Sequence, residues 1–444
     1  MELTADQPER DTVMTPELTT RHLRRRNRAA VLKALVRDGE TTRGQLAPLL
    51  HLSPATVANI VTDLVTEGLI HETGSLPSEV GRPVTLLSVR PDGAHFIGAD
   101  VGEDGVTVEV FDLALAPRSA VFREVSSRAI DAAGVSAALA SAIDEAIIAA
   151  GSPNNIYGIG LGLPGIVEAP RELPVGAARR TITLFAQSLN WPPTSLESIY
   201  GRDDIPVFAD NGAKTLATAE SWFGAVRDIA NGVVALFGRG VGLGVINDGR
   251  ILRGTASSAS EWGHTKISIG GPVCNCGNRG CLEAYVGGGA IARRWREAGA
   301  EPSADAETAL RELVAAAAHG DTVAKRVLDE TIEIMGIGLG NLVNMFNPER
   351  IVLGGWAGLS LAQDHLADVA SATRSAALVR PGEQFDLVPA GTGQNAVALG
   401  AALLAVERLL SAPLASSRDD LRGAAGTPGK NPALQAKSPG IPGL

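Results

Sequence analysis

A chain of 444 residues carries enough material for two or three domains with buried cores, and its 45% hydrophobic and 20% charged content excludes a disordered or fibrous class. A formal charge of −10 argues against a protein that coats nucleic acid with its whole surface, and three cysteines argue against a secreted disulfide scaffold. No apolar run approaches the ~18–20 residues of a membrane span, and the polar, acid-bearing first twenty residues do not read as a signal peptide, so a soluble cytoplasmic chain with no membrane partner is expected.

In chain order, residues 1–18 are polar and aperiodic and are expected to form a disordered tail. Residues 21–90 differ from the rest in charge. Ten Lys and Arg against six acids leave this stretch at +4 and the remainder at −14. Three apolar stripes at helical spacing follow one another: Val31, Leu32, Leu35, Val36; then Leu46, Ala47, Leu49, Leu50; then Val57, Ile60, Val61, Leu64, Val65. Thr42 with Gln45 reads as a capping box, and Ser53-Pro54 as an N-cap with proline at the first helical position. Only His51, Leu52 and Ser53 separate the second helix from the third, which predicts a helix-turn-helix. Leu69–Ile70, a turn around Gly81-Arg82-Pro83 and Val84–Val89 then read as a β-hairpin wing. From residue 94 strands and helices interleave, the mark of an α/β region large enough for two lobes. Strands are expected at 96–101, 105–111, 156–163, 207–210, 233–237 and 351–353, and helices at 132–150, 215–222, 321–346 and 396–410. Residues 411–444, rich in Ser, Pro, Gly and Ala, are expected to be a second disordered tail.

The third helix opens with small and polar side chains, as close approach to base edges requires. Asn59 suits adenine, and Thr56 a phosphate or a thymine methyl. The Arg21–Arg28 cluster, with Arg25 and Arg28, suits phosphates, Arg43 and Ser53 are further DNA-contact candidates, and Arg82 at the wing tip suits a minor groove. The competing reading is a helical dimerisation or protein-binding module. Turn length, capping, wing and local charge favour double-stranded DNA.

All three cysteines fall in Cys274-Asn-Cys276-Gly-Asn-Arg-Gly-Cys281, with His264 ten residues upstream of the first. Cys₃His is a closed structural zinc set, and free thiols or a redox pair are the alternatives. The run Phe237-Gly-Arg239-Gly-Val-Gly-Leu-Gly244 reads equally as a phosphate cradle or a tight hairpin. Trp191, beside Asn190, reads equally as a sugar-stacking ring or as packing.

Taken together these segments resemble the ROK family, which groups bacterial transcriptional repressors with sugar kinases. The resemblance covers residues 20–410. It rests on Glu261-Trp-Gly-His264, Cys274-x-Cys276-Gly-x-x-Gly-Cys281-Leu-Glu283, Gly160-Leu-Gly-Leu-Pro164-Gly165 and Val352-Leu-Gly354-Gly355. Asn27-Arg28, Gln45-Leu-Ala47, Leu52-Ser53-x-Ala55-Thr56-Val57 and Gly81-Arg82-Pro83 resemble its repressor branch, which includes N-acetylglucosamine and xylose repressors. The resemblance implies an α/β chain with a winged helix-turn-helix over 19–90 and a two-lobed, actin-like (ribonuclease H-like) sugar-kinase fold. Its first lobe is expected over 91–208, completed by a helix over 394–410, and its second over 209–393.

It also implies roles. Asn211, Glu261, His264 and Glu283 stand at sugar-contact positions, although Glu261 and Glu283 read also as salt-bridged lobe residues. His264 is assigned first to zinc with Cys274, Cys276 and Cys281. Kinases of the family place a catalytic Asp after the Asn that Asn211 matches, and here Gly212 stands there. A glycine takes no proton, and the neighbouring Asp210 belongs on the opposite face of its strand. The phosphate loops depart as well: Asp100-Val-Gly102-Glu103-Asp104 adds two acids, and Arg239 replaces a Thr. The expectation is a non-enzymatic, sugar-responsive regulator, a repressor of carbohydrate uptake or catabolism genes. It would bind operator DNA as a homodimer or dimer of dimers, take a sugar or sugar phosphate between its lobes, hold structural Zn²⁺ and not use ATP. The alternative is a zinc-containing, ATP-dependent sugar kinase with a DNA-binding appendage.

Overall fold

Capping chemistry sets the helices of the N-terminal region in the computed structural model, which describes residues 20–77, 83–102, 104–125, 131–168, 182–189, 191–202 and 204–411. Both expected tails (save Ser411), the wing tip with Gly81 and Arg82, Glu103 and Asn190 lie outside the described residues. Helix α1 spans Thr20–Asp38, strand β1 Thr41–Thr42, α2 Arg43–Leu49 and α3 Pro54–Thr66. Thr42 Oγ1 accepts from the Gln45 amide at 3.2 Å while Gln45 Oε1 accepts from the Thr42 amide at 3.1 Å, the reciprocal capping box. Ser53 Oγ accepts from the Thr56 amide at 3.1 Å. Between the two helices His51 adopts φ 53° and the Leu52 amide donates to the Ala47 carbonyl, which makes the turn sharp. Strands β2 (Ile70–Leu76) and β3 (Val84–Val89) complete a sheet of order β1-β3-β2. Leu32, Leu35, Leu46, Val57, Leu64, Ile70 and Leu87 fill the core, whereas Leu49 of the expected second stripe is 55% exposed. The seven residues of α2 bury only Leu46 and Ala47.

The chain divides into two units after Ser88, and the second runs from Val89 to Leu409. It holds two five-stranded sheets. In the first, β4 (His95–Val101), β5 (Gly105–Asp112) and β6 (Pro117–Glu124) form an antiparallel meander, and β7 (Ile156–Leu163) and β8 (Val207–Asn211) add in parallel beside β4. In the second, β9 (Gly232–Phe237), β10 (Val241–Asn247) and β11 (Arg250–Ile251) form the meander, and β12 (Arg350–Gly354) and β13 (Asp386–Pro389) add in parallel beside β9. The two sheets therefore share one topology, a duplication that no sequence repeat announces.

Helix α4 (Ala132–Ala149) packs on β5 and β6 through Val135, Leu139, Ala142, Ile143 and Ala146. It is the one helix among the described residues long and apolar enough to cross a membrane, and this face of it is core. Helix α5 (Gly212–Phe223) follows β8 directly and packs against strands of both sheets. Helices α6 (Ala306–Ala318), α7 (Thr322–Phe346) and α8 (Gly355–Ala376) belong to the second lobe, where α7 and α8 approach through Gly336 and Gly340 against Ala372 and Ala376. The last helix, α9 (Ala396–Leu410), returns to the first sheet: a methyl on Gly98 or Gly160 would overlap the Ala398 or Ala401 carbonyl. Only glycine lets strand and helix backbones come so close.

Candidate functional site

The cysteine cluster lies on the loop after β11. His264, Cys274, Cys276 and Cys281 bring one ligand atom each to within 4.8 Å of one another. Cys276 Sγ stands 3.7 Å from Cys281 Sγ, and Cys274 Sγ 3.7 Å from His264 Nδ1. A disulfide needs about 2.05 Å, whereas two thiolates on one tetrahedral zinc, each at about 2.3 Å, stand about 3.8 Å apart. Lys266 Nζ donates to Cys281 Sγ at 3.0 Å and Asn278 Nδ2 to Cys276 Sγ at 3.6 Å. Burial pushes the Cys274 thiol well above its usual range, so a cation is the natural partner that would hold it deprotonated. The donor set and spacing fit a metal ion such as zinc, whose four positions these residues would fill.

Beside this loop a cleft of about 1050 Å³ opens between the two sheets. Asn211, Gly212, Glu261, His264 and Glu283 all line it, so the structure brings the four expected sugar-contact residues together. Asn211 caps α5: its Oδ1 accepts from the Ala213 amide at 2.9 Å and its Nδ2 donates to the Gly165 carbonyl at 2.7 Å. Among the described residues one N–H and one lone pair of the amide have no further partner. Glu283 Oε2 accepts from the Val241 amide at 3.0 Å, and its Oε1 lies 3.5 Å from Cys274 Sγ, which ties the cleft to the cysteine loop. Burial pushes the Glu261 carboxyl up, and the neighbouring Lys214 pulls it back. Burial likewise lifts Asp100 to about 6.

Asp210 is turned away from this cleft, as the strand alternation requires. Buried at 4% exposure, it accepts two hydrogen bonds from Arg253, at 2.9 and 3.1 Å. Lys214, 1% exposed, donates from Nζ to the Ser257 carbonyl. Burial lowers the Lys214 ammonium below its ordinary range, and Asp210 and Glu261 oppose that shift. These two buried charges dock the segment 252–260 that leads into Glu261. Sequence reading named Asp210 only as a residue facing away from the cleft and missed Lys214, although a Lys and an Asp within five residues at a strand-to-helix junction are a legible signal.

The glycine-rich run resolves as a tight hairpin. Gly238-Arg239-Gly240 is the turn between β9 and β10, closed by a 3.0 Å bond from the Gly238 amide to the Gly240 carbonyl. Trp191, 8% exposed, packs in the first-lobe core, so it is packing and not a stacking platform.

In the N-terminal unit Ser53 and Asn59 are exposed, and Thr56, Arg25 and Arg43 are half-buried. Ser53 and Thr56 share a hydroxyl contact at 2.8 Å, and Arg43 pairs with Glu72 at 3.0 Å. Arg28 corrects the expectation of a phosphate contact: it is 3% exposed and ion-paired with Glu67, so it ties α1 to the end of α3. Arg82 lies outside the described residues.

A two-lobed sugar-kinase-like fold with a polar cleft and a Cys₃His loop defines the class of this protein. The ROK family model matches residues 96–408, and the chain belongs to that family. It is 32% identical over 345 residues to the xylose repressor of Caldicellulosiruptor bescii, covering 75% of this chain and 83% of that protein. Among solved structures it resembles a ROK family transcriptional regulator described as a homolog of the E. coli MLC protein. The TM-score is 0.69 and the identity 27%, over 90% of this chain and 100% of that one. It also resembles the ROK hexokinase of Thermus thermophilus, with a TM-score of 0.54 and 31% identity over 72% of this chain and 100% of the other.

Proposed function

We propose that the chain is a transcriptional repressor of the ROK family that binds operator DNA through a winged helix-turn-helix over residues 19–90 and releases it in response to a sugar held in the interlobe cleft. One observation carries the reading. Asn211, Glu261, His264 and Glu283 line the cleft together with Gly212, to which the family resemblance gives the position of the kinases' base. Carboxylates accept paired, directed bonds from adjacent sugar hydroxyls, which gives stereochemical choice without chemistry. Resemblance to a xylose repressor and to a ROK transcriptional regulator over most of the chain supports it.

DNA contacts are assigned to Arg25, Arg43, Ser53, Thr56, Asn59 and the wing residue Arg82. A homodimer would present two such modules to the halves of a palindrome. Zinc on His264, Cys274, Cys276 and Cys281 would supply no open coordination position. Its contribution is to fix the loop that presents Glu283.

The test is operator binding by gel shift on DNA upstream of neighbouring transporter and catabolic genes, with and without a panel of free sugars. A sugar that weakens binding supports the reading, and a panel with no effect on affinity overturns the sensor half. Resemblance to a hexokinase favours a second reading, a sugar kinase with a DNA-binding appendage. Coupled ADP-release assays decide between them, and robust turnover would replace the repressor reading.

A further inference from the structure

The turn bearing Arg239 is braced at three points. The Gly288 amide donates to the Gly238 carbonyl at 2.8 Å, the Gly238 amide to the Gly240 carbonyl at 3.0 Å, and the Val241 amide to Glu283 Oε2 at 3.0 Å. A methyl on Gly240 would lie 2.9 Å from Glu283 Oε2, so the turn that bears Arg239 borders the carboxylate assigned above to sugar contact. Arg239 and Glu283 line the same cleft, so for a phosphorylated sugar seated on Glu283 Arg239 would be a cation within the cleft for its phosphoryl group.

Arg239 is already occupied. Its Nε donates to Asp104 Oδ2 at 2.6 Å and its terminal nitrogen pairs with Asp104 Oδ1, a two-pronged guanidinium–carboxylate bond from the β9–β10 turn of one lobe to the β4–β5 turn of the other. Asp305 stands 3.9 Å away on a third side. The Asp104 turn is braced in its own right by the Gly102 amide on the Gly105 carbonyl and the Val125 amide on the Asp104 carbonyl, both at 2.9 Å. Among the described residues five carboxylates line the cleft against two arginines. The second, Arg311, is exposed and donates to Thr308 Oγ1 at 3.2 Å.

We propose that Asp104 sets ligand class: by holding Arg239 it makes this an acceptor of unphosphorylated sugars that turns away their phosphate esters and nucleotide phosphates. This rests on the sugar-sensor reading and goes further, because that reading admits sugars with or without phosphate. A phosphoryl group must displace Asp104 and then share the cleft with its freed carboxylate. Both partners are partly exposed, 35% and 56%, so the pair is a surface ion pair, and breaking it changes affinity by about fivefold rather than by orders of magnitude.

The experiment is calorimetric titration of the full chain with xylose, glucose and N-acetylglucosamine, and with glucose 6-phosphate and N-acetylglucosamine 6-phosphate. Wild type should prefer the free sugar of a pair. Asp104→Asn should narrow that preference by about fivefold by raising the affinity for the phosphate ester, with the free sugar little changed. In Asp104→Asn/Arg239→Ala the gain should vanish, which assigns it to the guanidinium. Inorganic pyrophosphate serves as an anion probe independent of sugar identity, and should stabilise Asp104→Asn thermally but not wild type. Wild type binding a phosphate ester as tightly as the free sugar, or Asp104→Asn without gain for ester and pyrophosphate alike, overturns the proposal and leaves the sugar-sensor reading standing. Failure of every sugar on wild type overturns that reading, and this proposal with it.

Discussion

Asp100 ends β4 inside the cleft, where loss of hydration raises its carboxyl from 3.8 to about 6. Between about pH 4 and 6 the folded chain then holds a proton there that the unfolded chain has released. Stability from this group is fullest below about 4, falls as pH rises from about 4 to 6, and levels off above. Asp100→Asn should flatten that window and gain about 1–3 kcal/mol at pH 7, measured by urea unfolding across pH 4–8. An unchanged slope would mean that the carboxyl is solvated. Gly212 permits an equally direct test. A Cβ there meets nothing nearer than the Val397 methyl at 3.7 Å, so Gly212→Asp should fold with stability within about 1 kcal/mol of wild type. It should still release no ADP in a coupled assay with sugar and ATP, because the two altered phosphate loops, at Asp100–Asp104 and at Arg239, are unchanged. At this scale the residue types were legible and their partners were not. The spacing of His264, Cys274, Cys276 and Cys281 announced a metal set, since ligands close in sequence meet locally. Arg28 looked like a phosphate contact because its partner Glu67 lies 39 positions away.

Elements were legible where local chemistry decides them. Thr42 and Ser53 capped the helices that their sequences predicted. The strand over 156–163 and the helix over 396–410 fell where their apolar runs placed them. Helix α8 was not legible: His365 leaves helical geometry in its middle, which breaks the 3.6-residue stripe. Strands β6 and β10 escaped because Pro117–Glu124 is mostly exposed and β10 is glycine-rich. The cysteine loop stands apart from these, since its order rests on four side chains with little regular secondary structure. Protein purified without chelators should carry about one zinc per chain. Stripping it should expose three titratable thiols and raise amide exchange over residues 264–283 while α7 and α8 stay protected. Cys281→Ser should lose the metal outright. Metal-free protein with an equally protected loop would show that packing alone shapes it.

Across the molecule, duplication and return set the architecture. Two sheets of one topology face a common cleft, and α9 carries the chain from the end of the second sheet back onto Gly98 and Gly160 of the first. Neither feature is written in the sequence as a repeat, because strand order is fixed by pairing between segments distant in the chain, such as Gly232 with Arg350. Glu220 holds the point where the chain leaves the second lobe. Wholly buried on α5, it accepts from the Ala225 amide at 2.6 Å, from the Gly391 and Thr392 amides at 3.0 and 2.9 Å, and from the Thr392 hydroxyl. Replacing one carboxylate oxygen by an amide turns a donor toward donors, so Glu220→Gln should cost about 2–4 kcal/mol in urea unfolding. A contact that serves only the local turn would lower stability and leave sugar affinity untouched. A pin between the lobes should do more. Glu220→Gln should also weaken sugar binding at a temperature where the variant is fully folded, because the cleft walls then lose their fixed spacing. Full sugar affinity in a folded Glu220→Gln protein would confine Glu220 to the fold and leave the setting of the cleft to α9 alone.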